Sequence, residues 1–87
     1  MSQLLVADHA ANQLTQLSDR DKGRVARAID KLALDPISQS HLLRNTEYGT
    51  GLRVMQAGGH RIIYSISEET NTVTVITVTT NHAKPTP

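Results

Sequence analysis

The sequence predicts an α+β fold in the order β-α-α-β-β-β: an N-terminal strand, then a two-helix hairpin packed on one face of a small antiparallel sheet. Three observations predict it. Apolar residues keep a helical period between Ala7 and Leu32. The period changes to two after Gly51. Gly58-Gly59 and Glu68-Glu69-Thr70-Asn71 then divide the second half into three strand-length runs.

The elements follow in order. Gln3 to Val6 reads as a short strand. Ala7, Ala10, Ala11, Leu14 and Leu17 hold helical spacing after Asp8, whose short acceptor side chain suits an N-cap. A second helix starts near Ser18, because Ser18 followed three residues later by Asp21 has the form of a capping box, and Asp19 and Asp21 favour the positive end of the dipole. Asp35-Pro36 stops it, since the residue before proline is pushed out of the helical region. The two helices are expected to pair antiparallel.

From Asp35 to Gly51 the polar residues and the glycines at 49 and 51 indicate a connecting loop. Leu52 to Ala57, His60 to Ser67 and Thr72 to Thr80 then form three antiparallel strands. Gly58-Gly59 supplies the backbone freedom of a tight hairpin. A polar tail, Asn81 to Pro87, follows, and no repeat or low-complexity segment occurs.

A chain of 87 residues fits one domain spanning 1–87, and at that length folding buries only about 60–65% of the unfolded surface. The core is thin. It has no Phe or Trp, and Tyr48 and Tyr64 are the only aromatics, so Leu, Ile, Val, Ala and Met must fill it. A stabilising partner chain is consistent with that shortage. The absence of cysteine argues against a disulfide-stapled secreted scaffold and thiolate metal sites. The start has neither a basic n-region nor a long apolar run, and nowhere are there about 18 consecutive apolar residues. These features predict a cytoplasmic protein without a membrane span. His9, His41 and His60 have no metal-ligand spacing and read as solvated or partly packed imidazoles, so neither metal nor cofactor is expected.

With nine basic and eight acidic residues the net charge is +1, so any affinity for nucleic acid must come from the distribution of charge. Arg20, Arg24, Arg27 and Lys31 recur at spacings of four, three and four and form one stripe along the second helix, offset from the apolar stripe Val25, Ala28, Ile29 and Leu32. The stripe is either a solvated face with local Asp partners or a contact to an RNA backbone.

The most informative residue is Arg61, a charge within the β-branched run His60-Arg61-Ile62-Ile63-Tyr64. A two-residue hairpin at Gly58-Gly59 pairs Gln56 with Arg61 and puts Val54 and Leu52 on the same face, with Arg53 on the other. A bulge at the glycines would instead bring Arg53 beside Arg61. Tyr64 alternates with Ile62 and Ile66, which makes it a core residue with its hydroxyl at the rim.

The order of elements, the Asp35-Pro36 stop, the Gly51-Leu52 entry and Gly58-x-x-Arg61-Ile62-Ile63-Tyr64 before a Val-rich last strand together resemble the RelE/ParE toxin superfamily. Within it, His60-Arg61-x-x-Tyr64 with His82 beyond the last strand is most similar to the YoeB/RelE branch. The resemblance implies the toxin of a type II toxin–antitoxin system, a growth inhibitor neutralised by an antitoxin from the same operon. For that branch it implies a metal-free, RNA-binding, ribosome-dependent mRNA endoribonuclease (mRNA interferase), in which an RNA 2′-OH attacks the adjacent phosphate. Arg61 then corresponds to the phosphate-holding catalytic arginine, whose permanent charge and forked donors suit a pentacovalent transition state; the other reading pairs it with Glu68 or Glu69. His82 corresponds to the general acid/base, although the aromatic expected after it is Ala83.

Arg53, Gln56, Arg44, Lys84 and the stripe Arg20, Arg24, Arg27 and Lys31 are the candidate RNA contacts. The superfamily's nucleases commonly carry basic residues at the positions of Leu52, Val54 and Gln56, and Glu47 lies later than the YoeB glutamate. This depletion keeps two alternatives open: a ParE-type inhibitor of DNA gyrase, and a catalytically silent relative that only binds its partner. Expected partners are the antitoxin and mRNA on the ribosome, or gyrase, with the chain as a homodimer or in a hetero-oligomer with the antitoxin.

Overall fold

The computed structural model describes residues 3–37, 40–43, 45–46 and 49–80. Strand β1 spans Gln3–Val6, helix α1 Asp8–Thr15 and helix α2 Asp19–Leu34. The two-residue strands β2 (His41–Leu42), β3 (Asn45–Thr46) and β4 (Gly49–Thr50) follow, then β5 (Arg53–Ala57), β6 (His60–Ser67) and β7 (Thr72–Thr80). The main sheet has the order β1-β7-β6-β5-β2, and β3 pairs with β4 separately.

The α+β expectation holds, as do the bounds of β1, β6 and β7. β1 joins the sheet parallel to β7, beside the antiparallel meander β5-β6-β7. The connecting segment is more ordered than a loop: β2 pairs antiparallel with β5, His41 opposite Val54 and Leu42 opposite Arg53.

The helix ends show why the sequence marks them. Ser18 Oγ accepts the Asp21 N–H at 3.2 Å, and the α2 C-cap is Asp35. At α1 the expected cap is corrected: Ala7 is the N-cap, without a side-chain bond, and Asp8 is already helical. The cause is β1, whose ladder runs on until the Ala7 N–H donates to the Val75 carbonyl at 2.9 Å. The chain therefore passes from strand to helix with no extended residue left for Asp8 to occupy.

Both helices lie on one face of the sheet, α1 over β7 and α2 across β1, β5, β6 and β7, and their packing runs to the sheet more than to each other. Val25, Leu32, Ile62, Tyr64, Val73 and Val75 form the centre of this main core. Tyr64 is fully buried and its hydroxyl donates to the Pro36 carbonyl, tying β6 to the end of α2. Opposite Ile63 the strand β7 carries an extra residue, because Ile63 pairs with Thr77 while Tyr64 pairs with Val75. Beyond that bulge β1 has ended. The Gln13 side-chain carbonyl of α1 takes over there, accepting the Val78 N–H at 2.7 Å and the Thr77 hydroxyl at 3.0 Å.

The other face carries a second, smaller apolar cluster: Leu52, Val54 and Ile63, with Leu43 and Ile76 packed against them. The connecting segment is held against β5 by the Leu43 N–H, which donates to the Leu52 carbonyl at 2.7 Å.

Candidate functional site

The β5–β6 hairpin sets the geometry of the site. Gly58 takes a positive φ of +63°, and all five β5–β6 pairs, from Arg53–Tyr64 to Ala57–His60, keep the two-residue register. The bulge that would bring Arg53 beside Arg61 does not occur at the glycines. Gln56 faces Arg61 directly, and both are exposed on the face opposite the helices.

Arg53 lies on the helix-covered face. Its Nε donates to Ser40 Oγ at 2.7 Å, bracing the connecting segment behind the sheet. Arg53 therefore does not stand beside Arg61. Arg61 is unencumbered: among the described residues it has no hydrogen-bond or ion-pair partner, and no pairing with Glu68 or Glu69 forms.

Leu52 and Val54, at positions where a phosphate-binding face would gain cations, are 5% and 6% exposed and belong to the second cluster. Burial accounts for their apolar character, since a lysine there would have to be desolvated or dislodge Leu43 and Ile63. Among the described residues the open face thus offers one arginine, Arg61, beside a small apolar cluster.

Beside Arg61 lies a shallow depression of about 200 Å³ lined by His41, Val54, Gln56 and Arg61. His41 is solvated, as its sequence context suggests, but its position beside Arg61 is not legible in the sequence. Paired with Val54, it is exposed on the same face as Arg61. A guanidinium, an imidazole and an amide around one depression can hold an anionic group and exchange a proton with it.

A second depression, about 330 Å³, lies between α2 and the hairpin, where Arg24, Arg27 and Lys31 overhang Met55, Gln56, Ala57 and Gly58. Arg20, Arg24, Arg27 and Lys31 are all exposed, and among the described residues none forms an ion pair. The local Asp partners expected for a solvated stripe are not engaged. Gln56 lines both depressions. Among the described residues β2 pairs with β5 only at Arg53 and Val54, so the two depressions meet at Gln56, at the other end of β5.

His60 differs from the solvated reading. It is 7% exposed on the helix side, with Nε2 3.4 Å from Asp21 Oδ2 and Nδ1 buried without a partner. His82, Lys84, Arg44, Glu47 and the tail lie outside the described residues. Among the described residues no group of three or more His, Asp or Glu side chains has a metal-site arrangement, and no helix is long and apolar enough to cross a membrane.

Comparison with known proteins adds to this geometry. The family model for the ParE toxin of the parDE type II toxin–antitoxin system matches residues 4–83. Among solved structures, the RelBE2 toxin–antitoxin complex from Mycobacterium tuberculosis superposes with a TM-score of 0.81 at 24% identity, covering 91% of this chain and 96% of that one. The archaeal RelE–RelB complex from Pyrococcus horikoshii OT3 superposes at 0.80 with 16% identity, covering 95% and 98%. The isolated RelE toxin of E. coli gives 0.79 and 16%, covering 97% and 88%. Comparison with curated protein sequences gave no match.

Proposed function

The chain belongs to the ParE toxin family of type II toxin–antitoxin systems, and from that premise we infer that it acts as a ribosome-dependent mRNA endoribonuclease centred on Arg61. The observation that carries this reading is Arg61 itself: exposed on a sheet face, without an ion-pair partner among the described residues, beside a depression that also holds His41 and Gln56. A buried or paired arginine would be structural, whereas this one is spare donor capacity. Its planar fork can hold two non-bridging oxygens of a phosphodiester. As the RNA 2′-oxygen attacks phosphorus, charge gathers on those oxygens, and a fixed cation there lowers the barrier. The stripe on α2 supplies further phosphate contacts along the strand, reached around β5 through Gln56.

An antitoxin is the expected partner. Two of the similar structures, RelBE2 of M. tuberculosis and RelE–RelB of P. horikoshii, are toxin–antitoxin complexes. This chain leaves Leu34, Ile37 and Leu42 at 71%, 55% and 63% exposure, apolar surface that a partner segment would remove from water.

A second reading has its own support. The matching family model is that of ParE, and among the described residues Arg61 is the one cation lining the open-face depression, which supports a binder of DNA gyrase as the alternative. Induced expression in bacteria, comparing the wild-type chain with Arg61→Ala at matched protein levels, separates the readings. Growth arrest with in-frame transcript cuts that vanish in the variant is the expected result. Arrest with a DNA-damage response and no cuts would assign the chain to gyrase, and no arrest would leave a silent relative that only binds its partner.

A further inference from the structure

We propose that His41, on the two-residue strand β2, is the general base of the cleavage reaction, an inference that rests on the endoribonuclease reading of the Arg61 face. Three features of the structure place it there. The antiparallel pairing of His41 with Val54 puts the imidazole on the face that carries Arg61, away from the helices. His41 and Arg61 line the same depression together with their cross-strand partners on β5, Val54 and Gln56. His41 is solvent-exposed and has no hydrogen-bond or ion-pair partner among the described residues, so its ring nitrogens are open to a ligand.

The other described histidines do not meet these conditions. His60 is buried on the helix side against Asp21, and His9 lies on α1, in a separate depression beside the end of β7. The groups that face His41 across the depression are Val54 and Gln56 from β5 and Arg61 from β6. Among the described residues Arg61 is the only charged one.

The reaction balances with these groups alone. Neutral His41 accepts the 2′-OH proton as the 2′-oxygen forms its bond to phosphorus, and the bond from phosphorus to the 5′-oxygen breaks. Arg61 binds the two non-bridging oxygens throughout. The departing 5′-oxygen takes a proton from water, and the His41 imidazolium returns its proton to the hydroxide so formed. The products are a 2′,3′-cyclic phosphate and a 5′-hydroxyl, with no oxidant, reductant or other co-reactant.

The test is single-turnover cleavage of mRNA on programmed ribosomes by the full chain and its His41→Ala, His82→Ala and His9→Ala variants, each across a pH series. His41→Ala is expected to slow cleavage about 10²- to 10⁴-fold and to remove the rise of rate with pH on the acidic side, while His9→Ala matches wild type. Because His41 is exposed, circular dichroism should show the variant folded. A substrate with sulfur in place of the 5′-bridging oxygen assigns the role, since a thiolate leaves without a proton. His41→Ala should remain slow on it, and restoration of the wild-type rate would overturn the base assignment in favour of an acid. Unchanged cleavage by His41→Ala, or loss of the acidic limb in His82→Ala alone, would overturn the proposal and leave the endoribonuclease reading intact. Absence of cleavage by the wild-type chain would remove that reading and this proposal with it.

Discussion

The two faces of the sheet are made from the same strands yet differ in what lies over them. Among the described residues the helix side carries twelve buried residues in one cluster, among them Val25, Leu32, Tyr64 and Val75; the other side carries three, Leu52, Val54 and Ile63, with Leu43 and Ile76 packed against them. Stability is therefore concentrated on one side, while the other is left thin enough for Arg61, Gln56 and His41 to stand in solvent. Alternation along β6 makes the division: Ile62 and Tyr64 point to the helices, and Arg61 and Ile63 point away. One strand thus serves both the core and the site without compromise between them.

The largest effect expected from this comparison comes from matched truncations on the two sides. Leu32→Ala opens a cavity at a position 1% exposed and should cost about 2–5 kcal/mol, a large share of what a domain this small has to lose. Ile63→Ala, at 8% exposure in the smaller cluster, should fall at the lower end of that range, because Leu43 and the connecting segment can settle into the space. Urea unfolding midpoints at constant slope measure both. Equal losses would show that the second cluster is as much a core as the first.

Gln13 comes next. It stands in for a missing strand, accepting from the Val78 N–H and the Thr77 hydroxyl where β1 no longer covers β7. Gln13→Leu keeps the bulk and removes the acceptor, leaving a buried donor unmet at about 1–3 kcal/mol. Gln13→Glu keeps an acceptor, and its unfolding midpoint should lie closer to wild type. A loss as large in Gln13→Glu as in Gln13→Leu would point to α1 packing instead.

Gly58→Ala should cost about 1–2 kcal/mol in the same assay. Its φ of +63° is strained for any L side chain, and the added methyl meets Arg24 Cδ and Nη1 at 3.3 Å. Gly59 has open space at the corresponding point, so Gly59→Ala should be the milder of the pair. The reverse order would mean that the turn in solution uses its second glycine for the left-handed position.

The pattern of these positions shows where the sequence is legible. Ser18, Asp21 and Asp35-Pro36 announce α2 because caps and stops are local chemistry, written within three or four residues. The β5–β6 register follows from Gly58-Gly59 for the same reason, and with it the separation of Arg53 from Arg61. The burial of Leu52 and Val54 is not local. It depends on Leu43 folding back across the sheet, from a segment whose polar composition reads as loop. The placement of His41 on the face of Arg61 is illegible on the same account, since a two-residue strand has no periodicity and its partner, Val54, is thirteen residues away. The parallel docking of β1 on β7 joins the two ends of the chain, which no short-range pattern records.

The smallest effect on stability is the one that bears most on whether nucleic acid crosses between the two sides. Arg27 and Lys31 are exposed, overhang the depression beside the hairpin end of β5, and are unpaired among the described residues. Replacing both with glutamine should move the unfolding free energy by no more than about 0.5 kcal/mol. Yet if an RNA strand runs from the α2 stripe past Gln56 to Arg61, each of these cations neutralises a phosphate and releases a counterion. The slope of log affinity against log salt for a single-stranded RNA should then fall by about 0.7 for each cation removed, about 1.4 for the double variant, and Arg61→Gln should lower it by about 0.7 more. Fluorescence anisotropy over a salt series reads these slopes directly. A slope unchanged in the double variant but reduced in Arg61→Gln would confine the RNA to the open face and return the α2 stripe to solvated helix surface.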